Sequence, residues 1–273
     1  MKEYYQTENG KLYCCDNVEY LKTVETNSFD LTVTSPPYDN LRDYKGYSWD
    51  FEALARELFR TTKEGGVIVW VVGDATINGS ETGSSFKQAL YFMECGFNLH
   101  DTMIYQKDSI SFPEINRYSQ IFEYMFILSK GSPNTFNCIK DRKNLHANGS
   151  KHIKGNYRDT NGKARHNKEN LLKKHGSRFN IWRISVGCNK STKDKIAFEH
   201  PAIFPEKLAY DHIISWSNEN DIVFDPFMGS GTTAKMCEIS QRKWIGCEIS
   251  KEYCEITKSR IETERTQLKM SFV

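Results

Sequence analysis

The stretch Asp225-Pro226-Phe227-Met228-Gly229-Ser230-Gly231-Thr232-Thr233 decides how this chain folds. It lies between a short apolar run, Ile222 to Phe224, and a helical pattern, Thr232 to Ile239, the place where α/β sheets hold nucleotide-like ligands. Glycines at 229 and 231 let backbone come close to such a ligand. Glu248 follows Gly229 by nineteen residues, at the end of the next strand, Lys243 to Cys247. That is the spacing at which an acid accepts hydrogen bonds from a ribose. The full Gly-x-Gly-x-x-Gly pattern is absent because position 234 is Ala, and no Lys follows a phosphate-type loop. An adenosine without phosphates therefore fits better than a dinucleotide or a triphosphate. Taken alone, a loop of this composition also reads as a tight turn.

Working outward, strand-like and helix-like segments alternate on both sides, which gives strand–helix–strand units and a mostly parallel sheet. Phe29 to Thr34 reads as a strand ended by Pro36-Pro37, which cannot donate to a ladder. Asp50 to Thr62 reads as a helix with Phe51, Leu54, Ala55, Leu58 and Phe59 on one face, stopped by Gly65-Gly66. Val67 to Val72 suits a strand buried on both faces. Further strands are expected at His100 to Gln106 and Phe122 to Leu128, and further helices at Pro205 to Trp216 and Lys251 to about Glu264. Ser132 to Asn180 is rich in Asn, Lys, Gly and His and lacks periodicity, so it is expected as a surface insertion.

The 273 residues suffice for one large core, and 38% hydrophobic with 26% charged residues describes an ordinary globular chain with no bilayer-spanning run. The N-terminal Met-Lys-Glu-Tyr-Tyr-Gln carries no export pattern, so a cytoplasmic protein is expected. Eight scattered cysteines without a Cys-x-x-Cys pair argue against a metal site and for small core hydrophobes. The formal charge of +2 hides an asymmetry: residues 140 to 183 hold thirteen Lys or Arg against Asp141, Asp159 and Glu169. A block of that kind is the footprint of a polyanion partner, although it is also what a solvated surface loop looks like.

A second string has a joint chemical purpose. Thr34-Ser35-Pro36-Pro37-Tyr38 comes directly off a strand. The exocyclic amine of cytosine or adenine is a poor nucleophile because its lone pair is delocalised into the ring. Two acceptors aimed at its hydrogens, the Ser35 side-chain oxygen and the Pro36 carbonyl, would draw the nitrogen towards a tetrahedral form, so that no strong base is needed. Tyr38 would stack on the extruded base, worth roughly 1–3 kcal/mol against the cost of unstacking. Holding nitrogen and methyl in line could supply about 7–11 kcal/mol more.

With both loops in view, the chain resembles the β-group of DNA amino-methyltransferases, the permuted class in which the catalytic loop precedes the cofactor loop. The resemblance spans nearly the whole sequence. It implies a single Rossmann-like α/β methyltransferase domain that uses S-adenosylmethionine, with a catalytic half at 1–130, a small basic target-recognition insertion at 131–180 and a cofactor-binding half at 181–273. It implies catalytic roles for Ser35, Pro36, Pro37 and Tyr38. Cofactor roles are implied for Phe227, Gly229 and Gly231, with Asp225, Pro226, Ser230, Thr232 and Thr233 around the methionine end and Glu248 at the ribose. Asp16 is similar to the family acid that meets the adenine amine, and Pro205, in His200-Pro201-Ala202-Ile203-Phe204-Pro205, to the family helix start that closes over the cofactor. Phe122 to Gly131 matches a conspicuous family strand. Double-stranded DNA is the implied partner, met by Arg42, Arg142, Lys143, Arg158, Arg165 and Arg178, mostly at phosphate. A cognate restriction endonuclease stays open, as does the choice between monomer and homodimer.

Methylation of cytosine at carbon five is not expected, since that reaction needs a cysteine nucleophile and every cysteine here lacks the usual preceding proline. Ser before the prolines resembles cytosine-N4 enzymes, whereas Asp or Asn resembles most adenine-N6 enzymes, so cytosine-N4 is expected with adenine-N6 as the alternative. A nucleotide-binding oxidoreductase would explain Glu248 and the glycines but leave the Ser-Pro-Pro-Tyr loop and the basic block without a purpose. A catalytically silent DNA-binding module is opposed by the intact strings at both loops.

Overall fold

The structure, a computed structural model, describes residues 2–37, 49–109, 115–144, 156–166, 173–187 and 189–271. In chain order the first strands and helices are β1 (Tyr5–Gln6), β2 (Gly10–Cys14), α1 (Asn17–Leu21), β3 (Phe29–Thr34), α2 (Phe51–Thr61), β4 (Thr62–Val72), β5 (Thr76–Ile77), β6 (Ser80–Glu81) and α3 (Ser84–Glu94). They are followed by β7 (Asn98–Gln106), β8 (Phe122–Ser129), β9 (Arg142–Lys143), β10 (Asn156–Arg158), β11 (Ala164–His166), β12 (His175–Gly176) and β13 (Ile181–Arg183). The last are α4 (Glu206–Trp216), β14 (Ile222–Asp225), α5 (Thr232–Ser240), β15 (Lys243–Glu248) and α6 (Lys251–Ser271), with a 3-10 turn at Lys195–Glu199 before α4.

The chain divides into two compact units, Met1–Asn137 with Asn180–Val273, and Cys138–Phe179. The first is built on a nine-stranded sheet in the order β1-β2-β15-β14-β3-β4-β8-β7-β13. From β2 across to β4 every pair is parallel; β8 runs antiparallel to both β4 and β7. The sequence explains the parallel core: Val67 to Val72 are all buried, as a strand covered on both faces requires. Ile68, Trp70 and Val72 join one core with Leu54, Leu58 and Phe92 from α2 and α3. The alternate residues face the other way, where α4 packs against β3 and α5 packs between α4 and α6.

Several expected boundaries move. Gly65-Gly66 do not stop α2. The helix ends at Thr62, already extended with ψ 133, and the glycines lie inside β4. Between Phe29↔Thr62 and Leu31↔Val67 the register shifts, and Gly65, with φ +75, supplies the left-handed backbone for that bulge. Pro205 caps α4 rather than opening it, and α6 runs beyond Glu264 to Ser271. β2 and α3 are additions that the sequence reading did not make. The second unit holds two short antiparallel pairs, β9 with β12 and β10 with β11. Among the described residues no helix is long and apolar enough to cross a membrane.

Candidate active site

β3 and β14 are parallel neighbours, but the chain leaves them in opposite directions: β3 leads through α2 to β4, and β14 through α5 to β15 on the other side. Open α/β sheets form a crevice where strand order reverses in this way. Ser35 and Pro37 follow β3 at that point, and the loop from Asp225 to Gly231 follows β14. The strand ends that carry the two loops are joined directly, because buried Thr34 donates its hydroxyl to Asp225 Oδ1 at 2.7 Å. Thr233 Oγ1, in the first turn of α5, donates to the Val33 carbonyl at 3.2 Å.

Asp225 is fully buried, and burial pushes its carboxyl up to about 6 although the Thr34 hydroxyl and the Phe227 N–H donate to it. No cation among these partners offsets the desolvation. Glu248, at the end of β15, accepts from Gly229 N–H at 2.8 Å through Oε2 and from Ser250 N–H at 2.9 Å through Oε1. Burial raises its pKa as well. The Ile249 N–H donates to the same carboxylate.

These residues line one cavity of about 490 Å³, within the roughly 300–1,000 Å³ usual for small-molecule sites. Asp16, Ser35, Pro37, Pro205, Asp225, Pro226, Phe227, Gly229, Ser230, Thr232, Thr233 and Glu248 all reach it. Pro36 is buried beside it without lining it. Asp16 also caps α1, accepting from Glu19 N–H at 2.9 Å. Tyr38 and Arg42 lie outside the described residues.

Gly231 needs a correction. A Cβ there would not enter the cavity but meet Thr257 of α6, with side-chain atoms at 2.7 and 2.8 Å and φ at +79. Its part is to cap α5 in a left-handed conformation, which turns the helix N-terminus towards the cavity. Gly229 is the glycine that faces the site: a Cβ would come within 3.0 Å of His200 Nε2, and φ is +53.

The sequence reading reached His200 only as the head of the string that closes over the cofactor, and it missed Trp49 and other parts of the lining. His200 stands edge-on to Tyr253 with ring centroids 4.4 Å apart, and Trp49 stands edge-on to Phe227 at 5.0 Å. At the far end of the cavity are Tyr105 and Lys107 from β7 and the residue after it, and Glu123 from β8. Charge along the chain could not single them out, since each is one acid or base among many. The cavity wall from Ser191 to Pro205 is anchored by a buried ionic cluster. Arg260 donates to Asp194 at 3.0 Å, to Glu206 at 2.8 Å and to the Ser230 carbonyl at 2.6 Å. Lys235 reaches the same two carboxylates at 2.9 Å each.

Within the unit Cys138–Phe179 the arginines are partly committed. Arg142 donates to the Ser177 carbonyl at 2.9 Å and stacks on Phe179 at 4.6 Å, Arg165 pairs with Asp159 at 3.0 Å, and Arg178 pairs with Asp141. Lys143 and Arg158 have no ion pair among the described residues, and both are exposed.

A sequence model described as DNA methylase, of the N6/N4 class, matches residues 29–259. The chain belongs to that family, the DNA methyltransferases of the N6/N4 amino type. It is 72% identical over 236 residues to the orphan methyltransferase M.BamHII of Bacillus amyloliquefaciens, covering 86% of this chain and 89% of that one. It is 30% identical to the type II methyltransferase M.HpaI of Haemophilus parainfluenzae, covering 93% of this chain and 74% of the other. Its fold matches the PvuII DNA methyltransferase (cytosine-N4-specific) with TM-score 0.68 at 23% identity, over 95% of this chain and 88% of that structure. M1.HpyAVI, solved as its complex with S-adenosylmethionine, matches with TM-score 0.59 at 22% identity over 92% and 99%. The family assignment is to DNA methylation, and the crevice at the strand-order reversal lies where such folds hold their ligand.

Proposed function

We propose that the chain transfers a methyl group from S-adenosylmethionine to the exocyclic N4 amine of a cytosine extruded from double-stranded DNA. The observation that carries this reading is the bond from Thr34 to Asp225, which ties together the strand ends that carry the Ser-Pro-Pro loop and the glycine loop over one cavity. S-Adenosylmethionine, when bound, supplies the methyl on a sulfonium. The residues present suit it: a buried acid without a cation at Asp225 meets the amino-acid ammonium, Glu248 takes ribose hydroxyls, and Gly229 leaves room under His200. Ser35 Oγ and the Pro36 carbonyl hold the two hydrogens of the target amine, which turns the nitrogen lone pair out of the ring. Tyr38, next in sequence, stacks on the base. The basic unit Cys138–Phe179 meets the phosphates.

Cytosine is preferred to adenine because Ser, not Asp or Asn, precedes the prolines, and the PvuII enzyme with the similar fold is cytosine-N4-specific. Incubation of the protein with unmethylated mixed-sequence DNA and labelled cofactor, followed by nucleoside mass analysis, tests it. The expected product is N4-methylcytosine; N6-methyladenine would overturn the base assignment, and no methylated nucleoside would overturn the activity.

A further inference from the structure

The cavity spans more of the sheet than a cofactor uses. Asp16, Asp225, Gly229 and Glu248 occupy its part over β2, β15 and β14, and Ser35 stands at β3. Beyond Ser35, over β8 and β7, the lining changes to Tyr105, Lys107, Ser109 and Glu123. Because β8 runs antiparallel to β4, with Val72 opposite Tyr124, its first residues reach the same rim as the C-terminal ends of the parallel strands. β7 brings its own end there, with Tyr105 opposite Glu123 and Lys107 just past Gln106. Lys107 Nζ lies 2.5 Å from Glu123 Oε1, with side chains 30% and 13% exposed. The pair opens onto the cavity, and Glu123, its more buried member, gives the Lys107 ammonium a partner there.

We propose that Lys107, positioned by Glu123, reads the acceptor edge of the extruded base, donating to N3 and O2 of cytosine while Ser35 and Pro36 hold the adjoining amine. The inference rests on the cytosine reading above. An ammonium has three donors, so one stays on Glu123 while others face the ring. Cytosine offers two neighbouring acceptors beside its amine, whereas adenine offers a single acceptor, N1, on that side. Glu123 acts through Lys107 and is a positioning residue.

The test compares the wild-type chain with Lys107→Met, Lys107→Arg and Glu123→Gln on the same mixed-sequence DNA, with cofactor affinity measured separately by calorimetry. Lys107→Met should lower kcat/KM for DNA about 10- to 100-fold, the scale of a lost charged hydrogen bond, while the cofactor Kd stays within about twofold. Lys107→Arg should recover most of the loss, and Glu123→Gln should fall between. Unchanged kcat/KM in Lys107→Met overturns the contact, and so does a parallel loss of cofactor binding, which marks the pair as a structural brace. The product nucleoside is read in the same experiment: N6-methyladenine from the wild type sinks the cytosine reading and the two-acceptor contact with it. N4-methylcytosine combined with an indifferent Lys107→Met sinks the contact alone.

Discussion

Asp225 carries the clearest pH signature. Its carboxyl titrates near 6 in the folded chain against 3.8 when free, so the fold binds that proton more tightly than the unfolded chain does. The group's contribution to stability is therefore complete below about pH 3.8 and is lost as pH rises through about 6, at a cost of about 3 kcal/mol. A bound ammonium reverses the preference, since it needs the carboxylate. S-Adenosylmethionine affinity should thus climb as pH rises through 6, by up to about tenfold per unit below it, and level off above. Asp225→Asn should bind weakly and without that slope. Calorimetry between pH 5 and 8 checks both, and a flat wild-type profile would remove Asp225 from the ammonium site. The two glycines separate by another measurement. Gly231→Ala places a methyl against Thr257 at a left-handed position and should cost about 1–3 kcal/mol in urea denaturation. Gly229→Ala should weaken cofactor binding instead, because its methyl meets His200 above the cavity.

At the scale of elements, the loops were legible in the sequence and their surroundings less so. Strand-then-proline and strand-then-glycine strings mark abrupt changes of backbone, and only a few conformations satisfy them, so Ser35, Pro37, Gly229 and Glu248 could be placed at one rim before any coordinates. The sequence reading passes over α3 although Phe86, Ala89, Leu90 and Met93 keep helical spacing. That stripe points to the wrong face, since Phe86, Leu90 and Met93 stay exposed while Ala89 and Phe92 are buried. Its start is fixed instead by remote Asp74, which accepts from Ser85 N–H at 2.9 Å, a contact that no local pattern announces. Gly65-Gly66 misled because glycine serves a bulge as readily as a helix stop. The ionic cluster behind the 191–205 wall was equally hidden, since Asp194, Glu206, Lys235 and Arg260 come from four segments. Arg260 is wholly buried, and its guanidinium spans two carboxylates and the Ser230 carbonyl. Arg260→Met leaves those carboxylates facing Lys235 alone and should cost about 3–5 kcal/mol. Arg260→Lys should not restore it, because a point charge cannot bridge three acceptors set in a fork. Denaturant midpoints for both variants decide the matter, and a near-neutral Arg260→Met would mean that the wall is held by packing alone.

For the whole molecule, one unit bears the sheet and the other holds the excess of positive charge. The unit Cys138–Phe179 carries most of the cationic block, yet its cations are unequal. Arg165 and Arg178 already face Asp159 and Asp141, and Arg142 is spent on Ser177 and Phe179, so each would give up a local partner to meet a phosphate. Lys143 and Arg158 give up no described ion pair. DNA affinity should accordingly fall steeply with salt, and Lys143→Ala or Arg158→Ala should each lower the slope of log affinity against log salt by about one. Arg165→Ala should lower it by less, because removing that cation also frees the negative charge of Asp159. Filter binding of mixed-sequence DNA across a salt series measures all three slopes under identical conditions. Equal slopes in wild type and in the Lys143 and Arg158 variants would move the DNA surface away from this unit, and a larger loss from Arg165 would show that the Asp159 pair opens on binding.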